Sequence, residues 1–204
     1  MRKAMFTVSL VVALGLAMAP LGARQTSGEK LEITAFAVNM SNIGPGSSAV
    51  VEIDIDRWST AAEREHLITT MVEKKENELL KALQKMPSHG RFSIPGLVGP
   101  DPHQLRLGNP LRYAWQTPQP EGGRRIVIAT DRYIGFNEAR NQPRTIDYPF
   151  TLFEIRVDKA GEGQGKMAVA TKISFDKKKN TIELENYSSE PVRLNNLELE
   201  VRKK

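Results

Sequence analysis

The sequence predicts a mainly β, α+β protein: an antiparallel β-sandwich or a partly closed barrel carrying an inserted helical hairpin. Three observations predict it. Eight or nine short runs are rich in β-forming residues, several alternating apolar and polar with period two. Residues 60–86 switch to helical spacing. The strand–helix–strand alternation that builds a doubly wound parallel sheet is missing.

The first strand, Leu31–Met40, and the second, Ala49–Asp56, flank Asn42-Ile43-Gly44-Pro45-Gly46-Ser47, a loop signal, and are predicted to form a hairpin. Val51, Ile53 and Ile55 share one face of the second strand; Glu52, Asp54 and Asp56 share the other. Helix follows. Thr60-Ala61-Ala62-Glu63 fits a capping box, in which the Thr side chain accepts a backbone N–H and the Glu reaches back. Leu67, Ile68, Met71 and Val72 form an apolar stripe. A second helical run, Glu76–Met86, carries Leu79, Leu80, Leu83 and Met86 on one side, with a break near Lys74–Asn77 and an end at Pro87.

Residues 87–123 are rich in proline and glycine, a composition suited to a working or lid-like loop region, with short strands around Arg91–Ile94 and Leu111–Gln116. Arg124–Thr130 reads as a strand with a buried Ile126-Val127-Ile128 centre. Phe150–Asp158 and Lys166–Phe175 are predicted to form a hairpin around Lys159–Gly165. Thr181–Tyr187 and Val192–Val201 extend it, the last broken near Asn195-Asn196. Four consecutive antiparallel strands in one sheet make a meander.

The chain's first residues have the layout of a secretory signal peptide. Arg2 and Lys3 precede an apolar stretch ending near Ala19, and Pro20-Leu21-Gly22-Ala23 supplies a breaker and small residues. The expected organisation is a signal peptide over residues 1–23, a flexible lead-in over 24–30, and one β-rich domain over 31–204. An uncleaved anchor is the competing reading, but Thr7, Ser9, Gly15, Pro20 and Gly22 dilute the window. After cleavage no stable membrane span is expected. The chain has no cysteine, which excludes a lipid-anchored lipoprotein, a thiol nucleophile and a thiolate metal site, and leaves stability to packing and hydrogen bonds. Lys and Arg number 29 against 24 Asp and Glu; losing Arg2 and Lys3 leaves a mild excess of three. Only Lys177–Lys179 and Arg202–Lys204 cluster, so no nucleic-acid partner is expected.

The hydrolase nucleophile elbow, the phosphate loop, the dinucleotide fingerprint and the zinc-binding H-E-x-x-H helix are absent, so no catalytic residue, metal or cofactor is assigned. Four weaker constellations remain. Asp131, Arg132, Glu138, Arg140, Arg144 and Asp147 lie between two strong strands. Arginine forks and planar carboxylates there can form a self-contained ion-pair network or a site for an anionic or hydroxylated ligand. Glu52, Asp54 and Asp56 form an oxygen-rich row, but residues two apart on a strand are roughly 7 Å apart, too far to share a calcium ion. His66 reads as an exposed helix residue; His89 and His103 read as loop histidines that with Asp101 can make a two-His, one-acid metal site. Trp58, Tyr113 and Trp115 read as core or as a stacking groove, Tyr113 and Trp115 sharing a strand face with Leu111.

The stretch Ile128-Ala-Thr-Asp-Arg-Tyr-Ile-Gly-Phe-Asn-Glu-Ala-Arg140, with Arg144-Thr-Ile-Asp-Tyr-Pro-Phe-Thr151, Ile55-Asp-Arg-Trp-Ser-Thr60 and Lys81-Ala-Leu-Gln-Lys-Met-Pro87, resembles a group of exported bacterial proteins of unknown function. The resemblance spans Ile33 to Val201. It implies a bacterial envelope setting, periplasmic or extracellular, and carries over no activity. The expected function is an exported, non-catalytic domain binding a small molecule or a cell-envelope component. Two rivals stand beside it: a hydrolase or cyclase using Asp131 or Asp147, and a structural protein docking a partner through an exposed Leu79/Leu83/Met86 stripe.

Overall fold

The computed structural model describes residues 29–40, 48–73, 76–95, 108–132, 134, 150–169, 172–176, 178, 181–185 and 192–202. In chain order its elements are β1 (Leu31–Asn39), β2 (Ser48–Ile55), α1 (Ala61–Glu73), α2 (Glu76–Lys85), β3 (Gly90–Ser93), β4 (Asn109–Pro118), β5 (Arg124–Thr130), β6 (Thr151–Val157), β7 (Glu162–Val169), β8 (Lys172–Asp176), β9 (Thr181–Glu185) and β10 (Val192–Val201).

The sheet closes on itself. Its strand order is β1-β10-β7-β6-β5-β4-β3-β2, with β1 antiparallel to both β10 and β2. Of the two architectures the sequence allows, the barrel forms, and it closes fully. Period-two alternation explains the wall. Leu31, Ile33, Ala35 and Ala37 of β1 and Val51, Ile53 and Ile55 of β2 all point inward and are buried. Phe92, Ile126, Ile128, Phe153, Ile155, Met167 and Leu194 complete the interior, with the Phe92 and Phe153 rings 5.1 Å apart. Side chains fill the barrel.

Part of the outer face around β4, β5 and β6 is apolar too. Tyr113, Val127, Ala129, Phe150 and Leu152 pack against Leu67, Leu79, Ala82 and Leu83 of the two helices. This second layer explains why Ile126-Val127-Ile128 reads as a continuous apolar run: Ile126 and Ile128 face the barrel, and Val127 faces the hairpin. It also corrects the third rival's premise. Leu79 and Leu83 are buried, and the stripe already has the barrel as its partner.

Three strand expectations change. The residues of Lys166–Phe175 do not form one strand. β7 begins at Glu162 and ends at Val169, where its ladder partner β6 begins at Thr151. The next strand, β8, pairs among the described residues only with β9, in a separate two-stranded sheet. The meander is therefore interrupted, and β10 returns to pair with β7 and β1. The glycines read as turn belong partly to the strand: a side chain at Gly163 would run into the Arg156 backbone carbonyl. Finally, β4 bulges. Leu111 pairs with Thr130 and Tyr113 with Ala129, which leaves Arg112 extra. Leu111 thus faces the interior, while Tyr113 and Trp115 face outward toward the helices. The expectation that all three share a face fails for that reason. In β10 the Asn195-Asn196 interruption is a bulge within a continuous strand, with Asn196 at φ 48°.

Candidate functional site

The hairpin is fastened to the barrel at its base. The capping box forms: the Thr60 N–H donates to Glu63 Oε2 at 2.7 Å, and the Glu63 N–H donates to Thr60 Oγ1 at 3.2 Å. Just before it, Ser59 takes both backbone bonds of β4's Ala114, its N–H donating to the Ala114 carbonyl at 2.9 Å and its Oγ accepting the Ala114 N–H at 3.1 Å. At the far end of the hairpin, His89 lies in the loop before β3, as its sequence suggests, and is fully buried. Its backbone joins β2 to β4: the carbonyl accepts from Asp56 and Arg57, and the N–H donates to Leu111. Gly90 follows at φ 146°, because any side chain there would meet the Asp54 backbone carbonyl.

The His89 ring lies at the centre of a polar cluster. Nδ1 faces the Pro87 carbonyl at 2.9 Å and so carries the proton. Nε2 then accepts, 3.0 Å from Ser59 Oγ and 2.9 Å from Arg57 Nη2. Glu63 pairs with Arg57 and lies 3.7 Å from the same Nε2. Burial, aided by Arg57 and opposed by Glu63, pushes the imidazole below its ordinary pKa. Burial would raise the Glu63 carboxyl, but the Thr60 N–H and Arg57 outweigh it and hold it low.

Ser, His and Glu within reach of one another invite comparison with a hydrolytic triad. The geometry speaks against it. The acid approaches Nε2, the nitrogen facing the serine, whereas a triad orients the base through Nδ1. Ser59 is fully buried, and its oxygen holds the Ala114 N–H. The cluster is a clasp that fixes the start of α1 and the start of β3 to β4. Sequence reasoning missed it; only the order Ser59-Thr60 before a helix and His89-Gly90 before a strand hinted at it. Asp101 and His103, the partners of the supposed metal site, lie outside the described residues, and among those described no group of His, Asp and Glu is placed to hold a metal ion.

Of the expected loop network, Asp131 and Arg132 are described; Glu138, Arg140, Arg144 and Asp147 lie outside the described residues. Asp131 is nearly buried and lies 3.3 Å from Arg112 Nε, the bulged residue of β4. The contact, to Asp131 Oδ2, is ionic without hydrogen-bond alignment; Arg112 Nε and Asp131 Oδ1 have no hydrogen-bond partner among the described residues. Arg112 Nη1 also donates to the Met86 carbonyl at 3.0 Å, satisfying the end of α2. Arg132 is exposed, its Nε 4.0 Å from Asp131 Oδ1. Asp131 therefore belongs to a second fastening, from hairpin to barrel.

Between these fastenings lies an apolar cleft. Leu67, Ile68, Met71, Leu79 and Leu83 line its helical side; Tyr113, Val127, Ala129, Phe150 and Leu152 line its barrel side. The void measures about 40 Å³. Arg64 closes one end, its guanidinium 5.1 Å from the centre of the Trp115 ring and hydrogen-bonded to Tyr113. Burial raises the Tyr113 phenol's pKa, so it remains protonated, and Arg64 opposes the rise. Tyr113 and Trp115 thus flank one cation beside the cleft, which neither Asp131 nor Arg132 lines.

Two of the three acids in the Glu52, Asp54, Asp56 row are paired with arginine. Asp54 is buried, accepting from Arg91 Nε at 2.6 Å and paired with Arg202 Nη2 at 2.9 Å; Arg202 also reaches Asp56 and Glu32. Glu154, on the outer wall of β6, is surrounded by Arg125 at 2.9 Å, Arg156 at 2.9 Å and Lys166 at 3.4 Å. Burial would raise its pKa, but Arg125, Arg156 and Lys166 bring it down to about 2.

The fold and these contacts define a side-chain-filled, eight-stranded antiparallel barrel with a helical hairpin strapped to its wall over an apolar cleft. No family model matches the chain, nor does any curated protein or solved structure.

Proposed function

We propose that this is an exported, non-catalytic binding domain that takes an apolar small molecule or envelope component into the cleft between hairpin and barrel. The cleft itself carries the reading. It is lined almost wholly by hydrocarbon, yet a cation stacked on an indole and a protonated phenol sit at one end. That is the composition of a ligand site, in which apolar walls supply affinity and a few polar groups fix orientation. The filled interior leaves no room for a ligand inside the barrel. At about 40 Å³ the void is far below the roughly 300–1,000 Å³ of ordinary pockets, so a ligand must lift the hairpin as it enters. The hairpin rests on the wall through side chains, with no strand ladder to break.

The enzyme alternative has less support. Asp131 is bound to Arg112 in a structural contact, a poor position for a general base. Thermal unfolding in the presence of long-chain fatty acids, lysophospholipids and isoprenoid alcohols tests the proposal. A true ligand at about 100 times its Kd adds about 2.7 kcal/mol. Filling the void with Ala129→Leu, from the barrel side of its lining, should abolish that gain while leaving the free protein folded. No shift with any of these compounds, or a shift that survives Ala129→Leu, defeats it. Mature protein beginning at Arg24 is the expected mass-spectrometric signature of export.

A further inference from the structure

The outer wall opposite the hairpin presents a surface of different character. Phe36 of β1 and Val50 of β2 are direct partners across the ladder, and they are 41% and 47% exposed. Both are large apolar residues on the solvent face, where alternation ordinarily places polar ones. Val38, two residues along β1, faces the same way and is half-buried. Its partner on β10 is Arg193, whose own partner on β7 is Lys166, whose partner on β6 is Glu154. Neighbouring strands lie about 4.8 Å apart, so Val38 and Lys166 are roughly 10 Å from each other. Three cations, Arg125, Arg156 and Lys166, share the single carboxylate of Glu154, and Arg193 adds a fourth one strand closer to the apolar residues. Arg193 is exposed.

We infer that this wall is an interaction surface for an anionic lipid bilayer, with Phe36, Val38 and Val50 entering the headgroup region and Arg193 and Lys166 meeting lipid phosphates. Two features select that partner. The wall of the closed barrel is convex and every strand in it is already paired on both sides, so it offers no edge for an added peptide strand. A headgroup layer can yield around a convex body. The apolar and cationic residues are also adjacent, and a bilayer surface accepts both chemistries at once. A polyphosphate chain would use the cations and leave Phe36 and Val50 in water. Long Lys and Arg stems let their charges reach round the curve while their carbons cover the wall.

The test is co-sedimentation of the full chain with vesicles of phosphatidylcholine alone and with vesicles containing about one third phosphatidylglycerol. The apolar stretch Ala4–Ala19 adds the same background to every variant, so the readout is the difference between variants. The expected result is stronger binding to anionic vesicles, weakened by salt. Arg193→Glu should reduce it at least about fivefold, and Phe36→Ser by a similar factor, since each cation near such a surface contributes about 1 kcal/mol. Lys85→Glu, on the exposed side of α2, should leave it unchanged. Unaltered melting temperatures establish that the variants are folded, and Val50→Ser stands in if Phe36→Ser fails that check. Equal binding to both vesicle types, or equal loss with Lys85→Glu, overturns the inference. So does preferential capture by a duplex oligonucleotide that Phe36→Ser does not weaken.

Discussion

Inside the barrel, Phe92, Phe153, Ile126, Ile128 and Ile155 are each fully buried, and every strand that carries them is hydrogen-bonded on both sides. Under the hairpin, Leu67, Leu79, Leu83, Val127 and Leu152 are of similar type and nearly as buried, yet they surround a void, and the helices are joined to the wall by side-chain packing and a few polar contacts. The difference teaches where this molecule can move without unfolding. A closed ladder ties packing to backbone hydrogen bonds, so the interior opens only as a unit. The hairpin layer can separate at the cost of side-chain contacts alone, which makes it the low-stability end of the structure.

The comparison is most easily broken from the inside. Phe153→Ala removes a ring from the centre of the filled barrel, and urea unfolding should show a loss of about 3–5 kcal/mol with the whole structure melting together. If Phe153→Ala loosened only the helical signal, the barrel would not be the cooperative unit.

Acid separates the two regions. The Glu154 carboxyl, held at about 2 in the folded wall, lies near 4.5 when unfolded. Its contribution, on the order of 3 kcal/mol at most, is present above pH 4.5 and disappears as pH falls through about 2. His89, held below 6.5 at the hairpin's base, gains a proton more readily in the unfolded chain, so stability falls as pH drops below 6.5. The helical signal should therefore weaken in mild acid and the barrel only in strong acid. Far-ultraviolet dichroism during acid titration checks the order, and Glu154→Gln should remove the lower step alone.

Leu83→Ala sharpens the contrast from the other side. It borders a void and lacks partner atoms on one flank, so the expected loss is about 2 kcal/mol, at the low end for a buried leucine. Hydrogen exchange should speed up in α1 and α2 and stay unchanged in β1 and β10. Thr60→Ala, which deletes one half of the capping box, is the smallest change, at about 1 kcal/mol, and should again act on the hairpin alone.

What was legible in the sequence was local. Val51-Ile53-Ile55 placed β2's inner face, Arg124–Thr130 fixed β5 at both ends, and Thr60–Glu63 marked the start of α1. Closure was not legible, because the pairing of Leu31 with Val201 joins the two ends of the chain and leaves no periodicity behind. Nor was the Arg112 bulge, in which one extra residue sends Tyr113 and Trp115 to the face opposite Leu111. Lys166–Phe175 looked continuous because alternation persists across a point where the partner strand simply stops. For the candidate site, Tyr113 and Trp115 carried a usable signal, as aromatics on one strand face. Arg64 and His89 did not, since a buried cation and a buried imidazole are set by contacts far away in sequence.

Closure of the sheet has one further consequence. A sheet with two free borders can recruit another chain's backbone, whether a client peptide or a misfolded copy of itself. Here the barrel strands have no such border, and among the described residues only β8 and β9 retain one. Among the described residues, a self-templated fibril or donated strand would begin at that short ribbon, Lys172–Asp176 and Thr181–Glu185.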